Sequence, residues 1–339
     1  MTDAPPWTEP GAHRVAEGVH RIPLPLPMDG LRAVNVYAIE TEEGLTLVDG
    51  GWAVEESRRQ LETSLDSIGH RLSDITRFLV THVHRDHYTQ ALAVRREFGS
   101  HVSLGLGEKP TLDVVRNERL TRDPTVPQIL RAGAEKVARE WADTLSDVQL
   151  DLALWEDPDS WLEGDHRLAV GTRTLDAVST PGHTQGHFVF ADLDAGLLFA
   201  GDHVLPTITP SIGFEPAYAD QPLGDFLASL AKVRALPDLR LLPAHGAVTG
   251  STHTRVDELV AHHDERLRLC LDSVRAGRQT AYDVAGDLPW TRREKRLADL
   301  DVFNAALASM ETMAHLDLLA ARGEITRRDD DDGVSVYGP

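Results

Sequence analysis

The sequence predicts an α+β protein, and three observations carry that reading. Short strand-like runs bounded by turn residues fill the stretches 18–51 and 166–246. Helix-patterned runs alternate with strands in the first half of the chain. A series of helical segments ending in a hairpin occupies the chain from about Val256. At 339 residues and 41% hydrophobic, the chain can build a real core, and its length suits a main domain with an appendage.

In chain order, "GVHRIPLPL", "AVNVYAIET" and "GLTLVDGG" read as strands, with "MDG" and "EEG" as turns. "AVEESRRQLETSLDSIG" has apolar residues at helical spacing. "ITRFLVT" is a buried strand, and "TQALAVRREFG" is a helix ended by Gly99. From about Glu108 to Val148 the strand–helix alternation stops. "PTLDVVRNERL" and "PQILRAGAEKVAREWADTLSDV" read as helices opened by prolines, an insertion that could cap a site. Strands return in "HRLAVG", "RTLDAVSTPG", "HFVFADLD", "GLLFAGDHVL" and "LRLLPAHG". "VDELVAHHDERLRLCLDSVRAG", "TAYDVAGDL" and "LDVFNAALASMETMAHLDLLAARG" are three helices, and "EITRRDDDDGVSVYG" is a hairpin with a solvated tip. Three helices and a hairpin suggest a small winged-helix-like domain. The expected organisation is a main domain over 1–255, with its insertion at about 108–148, and a C-terminal domain over 256–339.

The bulk numbers narrow the function classes. A net charge of -20 repels phosphate backbones, so nucleic acid is not the expected partner. No apolar run reaches the ~18–20 residues of a membrane helix, and "MTDAPPWTEPGAHR" lacks the apolar region of a signal peptide, so a cytoplasmic protein is expected. The single cysteine, Cys270, excludes an intrachain disulfide and a CxxC site; it falls on an apolar helix face as a core residue.

Chemistry concentrates at five places, all at the ends of expected strands, where a rigid sheet can gather distant side chains. They are Asp49 in "LVDGG", the cluster His82, His84, Asp86 and His87 in "THVHRDH", His183 in "STPGHTQGH", Asp202 in "FAGDH" and His245 in "LPAHG". His82 and His84, two apart on extended chain, project to one side. Asp86 and His87 follow on a tightening turn and can serve a second centre. Imidazoles and carboxylates suit zinc, and iron or manganese less selectively. One ion needs roughly four ligands, so five histidines and two aspartates exceed one ion and would suit two that share a carboxylate.

"HVHRDH" followed in order by "PGHTQGH", "GDH" and "PAHG" resembles the metallo-β-lactamase-fold hydrolases, over about Val19 to Thr249. The resemblance implies an αβ/βα sandwich with the metals at one edge between two sheets. It implies that His82, His84 and His183 hold a first ion, that Asp86, His87 and His245 hold a second, and that Asp202 bridges them. Asp49 would support the ligand loops without binding metal. The family usually carries zinc, and some members iron or manganese. His84 stands where oxygen-reducing di-iron relatives carry glutamate, which favours hydrolysis. The C-terminal helices, with "AHL" inside "METMAHLDLLAARG", resemble the tail of a branch that includes an endoribonuclease.

These expectations combine into a dinuclear zinc hydrolase that attacks a carboxylic ester, thioester or lactone through a hydroxide shared by the two ions, with Asp86 orienting it. The loop Val204–Pro216 after Asp202 is apolar and proline-rich, with hydroxyls such as Thr207 for hydrogen bonding, which suits an acyl substrate. The alternatives are a metal-dependent phosphodiesterase or endoribonuclease and a mono-iron sulfur dioxygenase. A basic surface would mark the nuclease, and Arg85, Arg95, Arg96, Lys109 and Arg116 are its best candidates. A homo-oligomer is possible. Of the other histidines, His187 reads as a buried hydrogen-bonding residue and His203 as either pocket lining or a substrate contact. His315 reads as packing, and His13, His20, His70, His101, His166, His253, His262 and His263 as surface residues.

Overall fold

The computed structural model describes residues 6–27, 30–117, 123–145, 152–291 and 294–339. The "MDG" turn (through Met28 and Asp29) and the ends of the two insertion segments (Glu118–Leu120 and Ser146–Val148) lie outside the described residues. Among those described, the strands are β1 (His13–Ala16), β2 (Val19–Pro25), β3 (Ala33–Thr41), β4 (Gly44–Val48), β5 (Ile75–Leu79), β6 (His101–Gly105), β7 (Ser160–Leu162), β8 (His166–Val170), β9 (Arg173–Ser179), β10 (Phe188–Asp192), β11 (Leu197–Gly201), β12 (Arg240–Pro243), β13 (Thr326–Asp329) and β14 (Ser335–Gly338). The helices are α1 (Glu55–Asp66), α2 (Arg85–Phe98), α3 (Lys109–Val115), α4 (Val126–Arg131), α5 (Glu135–Leu145), α6 (Pro222–Ala235), α7 (Thr252–Arg275), α8 (Ala281–Asp287) and α9 (Val302–Ala321).

The strands form two sheets, β1-β2-β3-β4-β5-β6-β7 and β12-β11-β10-β9-β8, with β13 and β14 a separate hairpin. The first sheet is antiparallel from β1 to β4 and parallel from β4 to β7. In the second, only β11 and β12 run parallel. Strand periodicity explains how they stack. Along β3, Val34, Val36 and Ala38 face one apolar layer while Tyr37 and Ile39 face another. Along β10, Phe188 and Phe190 join Tyr37 and Ile39 between the sheets, and Val189 and Ala191 point outward. Both faces of each strand are thus buried. Helices must cover the outer faces, and they do: Leu61, Leu65, Leu92 and Val94 cover the first sheet, and Leu223, Phe226 and Leu230 the second. The result is an αβ/βα sandwich.

α4 and α5 pack together with the C-terminal helices. Ile129, Trp141, Leu259, Met313 and Tyr337 belong to one apolar cluster with the outer face of the second sheet. A polar knot reinforces it. The Asp317 side chain, 1% exposed, accepts hydrogen bonds from Tyr337 (2.7 Å) and Tyr218 (3.3 Å) and pairs with Arg327 (3.1 Å) and Arg131 (3.5 Å). Asp317→Ala leaves two guanidinium groups without their shared carboxylate. It is expected to cost about 3–5 kcal/mol, read as a lower urea midpoint.

The structure differs from the sequence reading in several places. α2 begins at Arg85, within the histidine cluster, four residues before the expected start at Thr89. Asp86 in its first turn favours the positive helix end, and the N–H groups of His87 and Tyr88 both reach His84 O at 3.0 Å. β1, β6, β7 and α6 were not expected. His263 is not on the surface: it is 0% exposed, and its Nδ1 lies 3.1 Å from His315 Nε2.

Candidate metal centre

All the strand-end residues singled out by sequence meet at one edge of the sandwich. The chain leaves β4 at Asp49, whose φ of 63° lies in the left-handed region that Asp tolerates better than branched residues. Gly50 then passes so close to α2 that a Cβ there would sit 2.6 Å from the Ala91 nitrogen. Gly50 N–H donates to His87 O (2.8 Å), and Gln90 N–H donates to Gly51 O (3.0 Å). This clamp fixes the Asp49 carboxylate, which accepts from Thr81 N–H (2.8 Å), from the Thr81 hydroxyl (3.0 Å) and from His87 Nδ1–H (2.9 Å). Asp49 therefore supports the loops from behind.

The surrounding hydrogen bonds assign the ring protons. His183 Nδ1 donates to Ser211 O (2.8 Å), and His245 Nδ1 donates to Ala33 O (2.8 Å). The Thr81 hydroxyl gives its proton to Asp49, so it accepts from His82 Nδ1 (3.0 Å). In each case Nε2 is left with a lone pair. His82 Nε2 and His183 Nε2 then converge on His84 Nδ1, at 2.9 and 3.1 Å. On the other side, His87 Nε2 faces Asp86 (3.6 Å) and Asp202 (3.8 Å), and His245 Nε2 lies 3.4 Å from each of the same carboxylates. Asp202 also reaches toward the first trio, 3.6 Å from His183 Nε2. Three groups result that could each hold an ion: His82 with His84 and His183; His82 with His87 and Asp202; Asp86 with His87 and His245.

Convergent lone pairs and carboxylate oxygens repel one another unless a cation lies among them. Buried atoms without a hydrogen-bond partner include His87 Nε2, Asp202 Oδ1 and His245 Nε2, all aimed at the same spot. The electrostatics agree. Burial, together with the neighbouring rings, holds His82 well below the usual histidine range, and burial takes His84 down to about 3. Burial also opposes charge on His87, but the carboxylates of Asp49, Asp86 and Asp202 outweigh it and raise this ring to about 9. At Asp86 and Asp202 burial opposes ionisation, and the facing histidines override it. The same carboxylates raise His245 well above the usual histidine range, so a bound cation would displace a proton from His87 and from His245, and the resulting neutral nitrogens beside ionised oxygens fit a pair of divalent ions.

The remaining site residues separate. His187 behaves as expected: its Nδ1 meets Thr180 Oγ1 (2.9 Å), and its Nε2 accepts from Asp202 N–H (3.2 Å). Gly201, before Asp202, has φ 50°, and a Cβ there would lie 2.7 Å from His187 Nε2. His203 is 0% exposed and packs edge-on against Phe226 at 5.0 Å, so it offers no accessible surface. Thr207 is exposed on its loop, with its Oγ1 3.9 Å from where a Cβ on Gly246 would stand. Of the Val204–Pro216 loop, Val204, Leu205 and Ile212 are buried, whereas Ile208 is exposed. Sequence reasoning missed Thr81, which orients His82 and Asp49, and two buried carboxyl groups, Glu108 and Glu215, behind the His183 loop. The glycine-rich "GLGE" ahead of Glu108 was the available signal.

An αβ/βα sandwich with clustered His and Asp at one edge defines a class of metal-binding enzymes, and comparison with known proteins places the chain within it. Residues 29–245 match the family model of the metallo-beta-lactamase superfamily, and the chain belongs to that superfamily. It is similar along nearly its whole length to a beta-lactamase domain protein from Burkholderia ambifaria (26% identity, TM-score 0.76, 99% of this chain and 97% of that one). The same holds for a metallo-beta-lactamase family protein from Thermus thermophilus (26%, TM-score 0.72, 96% and 99%). The probable metallo-hydrolase YqjP of Bacillus subtilis is 25% identical over 90% of this chain and 92% of its own length. The hydroxyacylglutathione hydrolase of Rhizobium johnstonii is 29% identical over 48% of this chain. The chain spans only 45% of that relative, and 44% of the beta-lactamase-like protein 2 homolog of Caenorhabditis elegans, which is 30% identical over 39% of this chain. By their names, two of these relatives are hydrolases, one of them a probable metallo-hydrolase, and the chain shares their superfamily. Among the described residues no helix is long and apolar enough to cross a membrane.

Proposed function

We propose that the protein is a dinuclear zinc hydrolase that cleaves a carboxylic ester, thioester or lactone. The observation that carries this reading is the set of Nε2 atoms of His82, His183, His87 and His245, each ring held by a contact at Nδ1 and turned toward His84, Asp86 and Asp202. His82, His84 and His183 would hold one ion, Asp86, His87 and His245 the other, and Asp202 both. Bound zinc supplies Lewis acidity, which lowers the pKa of water and polarises a carbonyl oxygen. The chain's own groups do the rest. The Asp86 carboxylate is kept ionised, chiefly by His87 and His245 against its own burial, and can hold and pass on a proton from the attacking water. Asp49 and Thr81 keep His87 and His82 in the tautomers the site needs.

Two observations support an acyl substrate over RNA. The basic residues that could hold phosphate are already engaged. Arg95 and Arg96 pair with Glu156 at 2.7 and 2.6 Å, Lys109 with Asp113 at 3.6 Å, and Arg116 with Asp113 and Asp157 at 2.8 and 2.9 Å. Arg85 lies over the Trp52 ring at 4.4 Å. The relative named as a hydroxyacylglutathione hydrolase acts, by that name, on a thioester.

A panel of apolar thioesters, lactones and esters, run beside single-stranded RNA and bis-p-nitrophenyl phosphate, tests the reading. Acyl turnover is expected to exceed RNA cleavage by orders of magnitude, to vanish with His82→Ala and to change little with salt. RNA cleavage that falls steeply with salt, with every acyl substrate untouched, would contradict it.

A further inference from the structure

Behind the centre, two loops that carry its histidines are joined through one buried side chain. The turn after β6, "GLGE", lies backbone against backbone on the turn after His183. A Cβ on Gly105 would fall 1.9 Å from Gly186 O, one on Gly107 2.4 Å from Gln185 O, and one on Gly186 2.4 Å from the Glu108 nitrogen. Only glycine permits that approach. It delivers Glu108, 0% exposed, to a point where its carboxyl accepts the Thr184 hydroxyl and faces the backbone N–H groups of Val83 and Gly186. Val83 stands between His82 and His84, and Thr184 follows His183. Glu215, 2% exposed, approaches the same turn and accepts Gln185 N–H at 3.1 Å. The Gln185 side chain in turn donates to Ala217 O.

We propose that Glu108, backed by Glu215, is the positioning residue that locks the His183 turn against the His82–His84 segment and so sets the affinity of the first metal site. The inference rests on the metal-centre reading above. The two carboxyl groups also sense each other. Burial lifts Glu108 to about 7 against the Thr184 hydroxyl and the nearby N–H groups of Val83 and Gly186, and burial with the Glu108 charge lifts Glu215 well above the usual range. A glutamine at 108 can keep the acceptor for Thr184 while offering an N–H toward Glu215, whereas alanine keeps neither. Outer residues that fix ligands typically affect metal affinity about 10–100-fold.

The test is zinc and cobalt(II) titration of the full chain after chelation, followed by competition with a chelator and by the cobalt absorption spectrum. Glu108→Ala is expected to weaken binding about tenfold or more and to shift the cobalt bands, with Glu108→Gln restoring both to near wild type. Leu112→Ala, which hollows the core at α3 and removes no polar group, should lower Tm and leave affinity and spectrum unchanged. Wild-type affinity in Glu108→Ala would overturn the proposal. So would equal weakening in Leu112→Ala at matched loss of stability. If Glu108→Ala does not fold, Thr184→Val carries the test, with weaker binding expected and unchanged binding overturning it. His183→Ala separates the two levels. If it binds metal like wild type, the metal-centre reading itself fails; if it loses metal while Glu108→Ala does not, only the role of Glu108 fails.

Discussion

Asp202→Ala is expected to remove at least one metal ion and to lower hydrolysis by about 100-fold or more. The two carboxylate oxygens of Asp202 face histidines on both halves of the cluster. One carboxylate oxygen lies 3.8 Å from His87 Nε2 and 3.4 Å from His245 Nε2, and the other lies 3.6 Å from His183 Nε2. Alanine leaves buried nitrogens on both halves without the charge that would hold two cations close together. The effect is chemical and should not unfold the chain, because Asp202 N–H still donates to His187 Nε2 and Gly201 still makes its close turn. Metal content and turnover, measured beside Tm, check this. Full activity in a well-folded Asp202→Ala protein would remove Asp202 from the centre.

The second large effect is expected from Asp49→Asn. The substitution keeps the size of the side chain and a residue type that tolerates the left-handed backbone. It removes one of two acceptors. The amide oxygen can take Thr81 N–H, which leaves the amide N–H directed at His87 Nδ1, 2.9 Å from the present carboxylate oxygen. His87 must then accept at Nδ1 and carry its proton on Nε2, where it cannot bind metal. A wrong tautomer behind correct geometry is costly, as buried aspartate–histidine pairs in hydrolases illustrate. The expected result is loss of the ion held by Asp86, His87 and His245, with the His82, His84 and His183 ion retained. Equal loss of both ions, or of neither, would count against the tautomer argument.

Much of this site was legible in sequence because its residues are local to strand ends. "HVHRDH" is six consecutive residues, and His183, Asp202 and His245 each sit in a short motif at the end of a strand whose own pattern is plain. The strands β3, β4 and β10 were equally plain, since a strand buried on both faces shows as a short, mostly apolar run between turn residues. What escaped depends on long-range packing. β7 is three residues whose only strand partner among the described residues is β6, some 57 positions earlier, so no local pattern marks it. α6 carries Gly224 and follows a proline-rich loop, which reads as a continuation of that loop. His263 was placed outside because its neighbours are polar, yet it shares a helix face with Val256, Leu259, Leu267 and Cys270, all buried. Glu108 marked only the place where the strand–helix alternation stops. It is buried because glycines in two distant turns let their backbones touch, and a sequence shows the glycines without showing what they meet.

The claim that seven side chains hold two ions is tested most directly by elemental analysis of the metal-replete protein, with His245→Ala alongside. The wild-type chain is expected to contain two zinc ions and the variant one, because His245 faces only the Asp86–Asp202 side of the cluster. A single ion in both proteins would contradict the dinuclear centre.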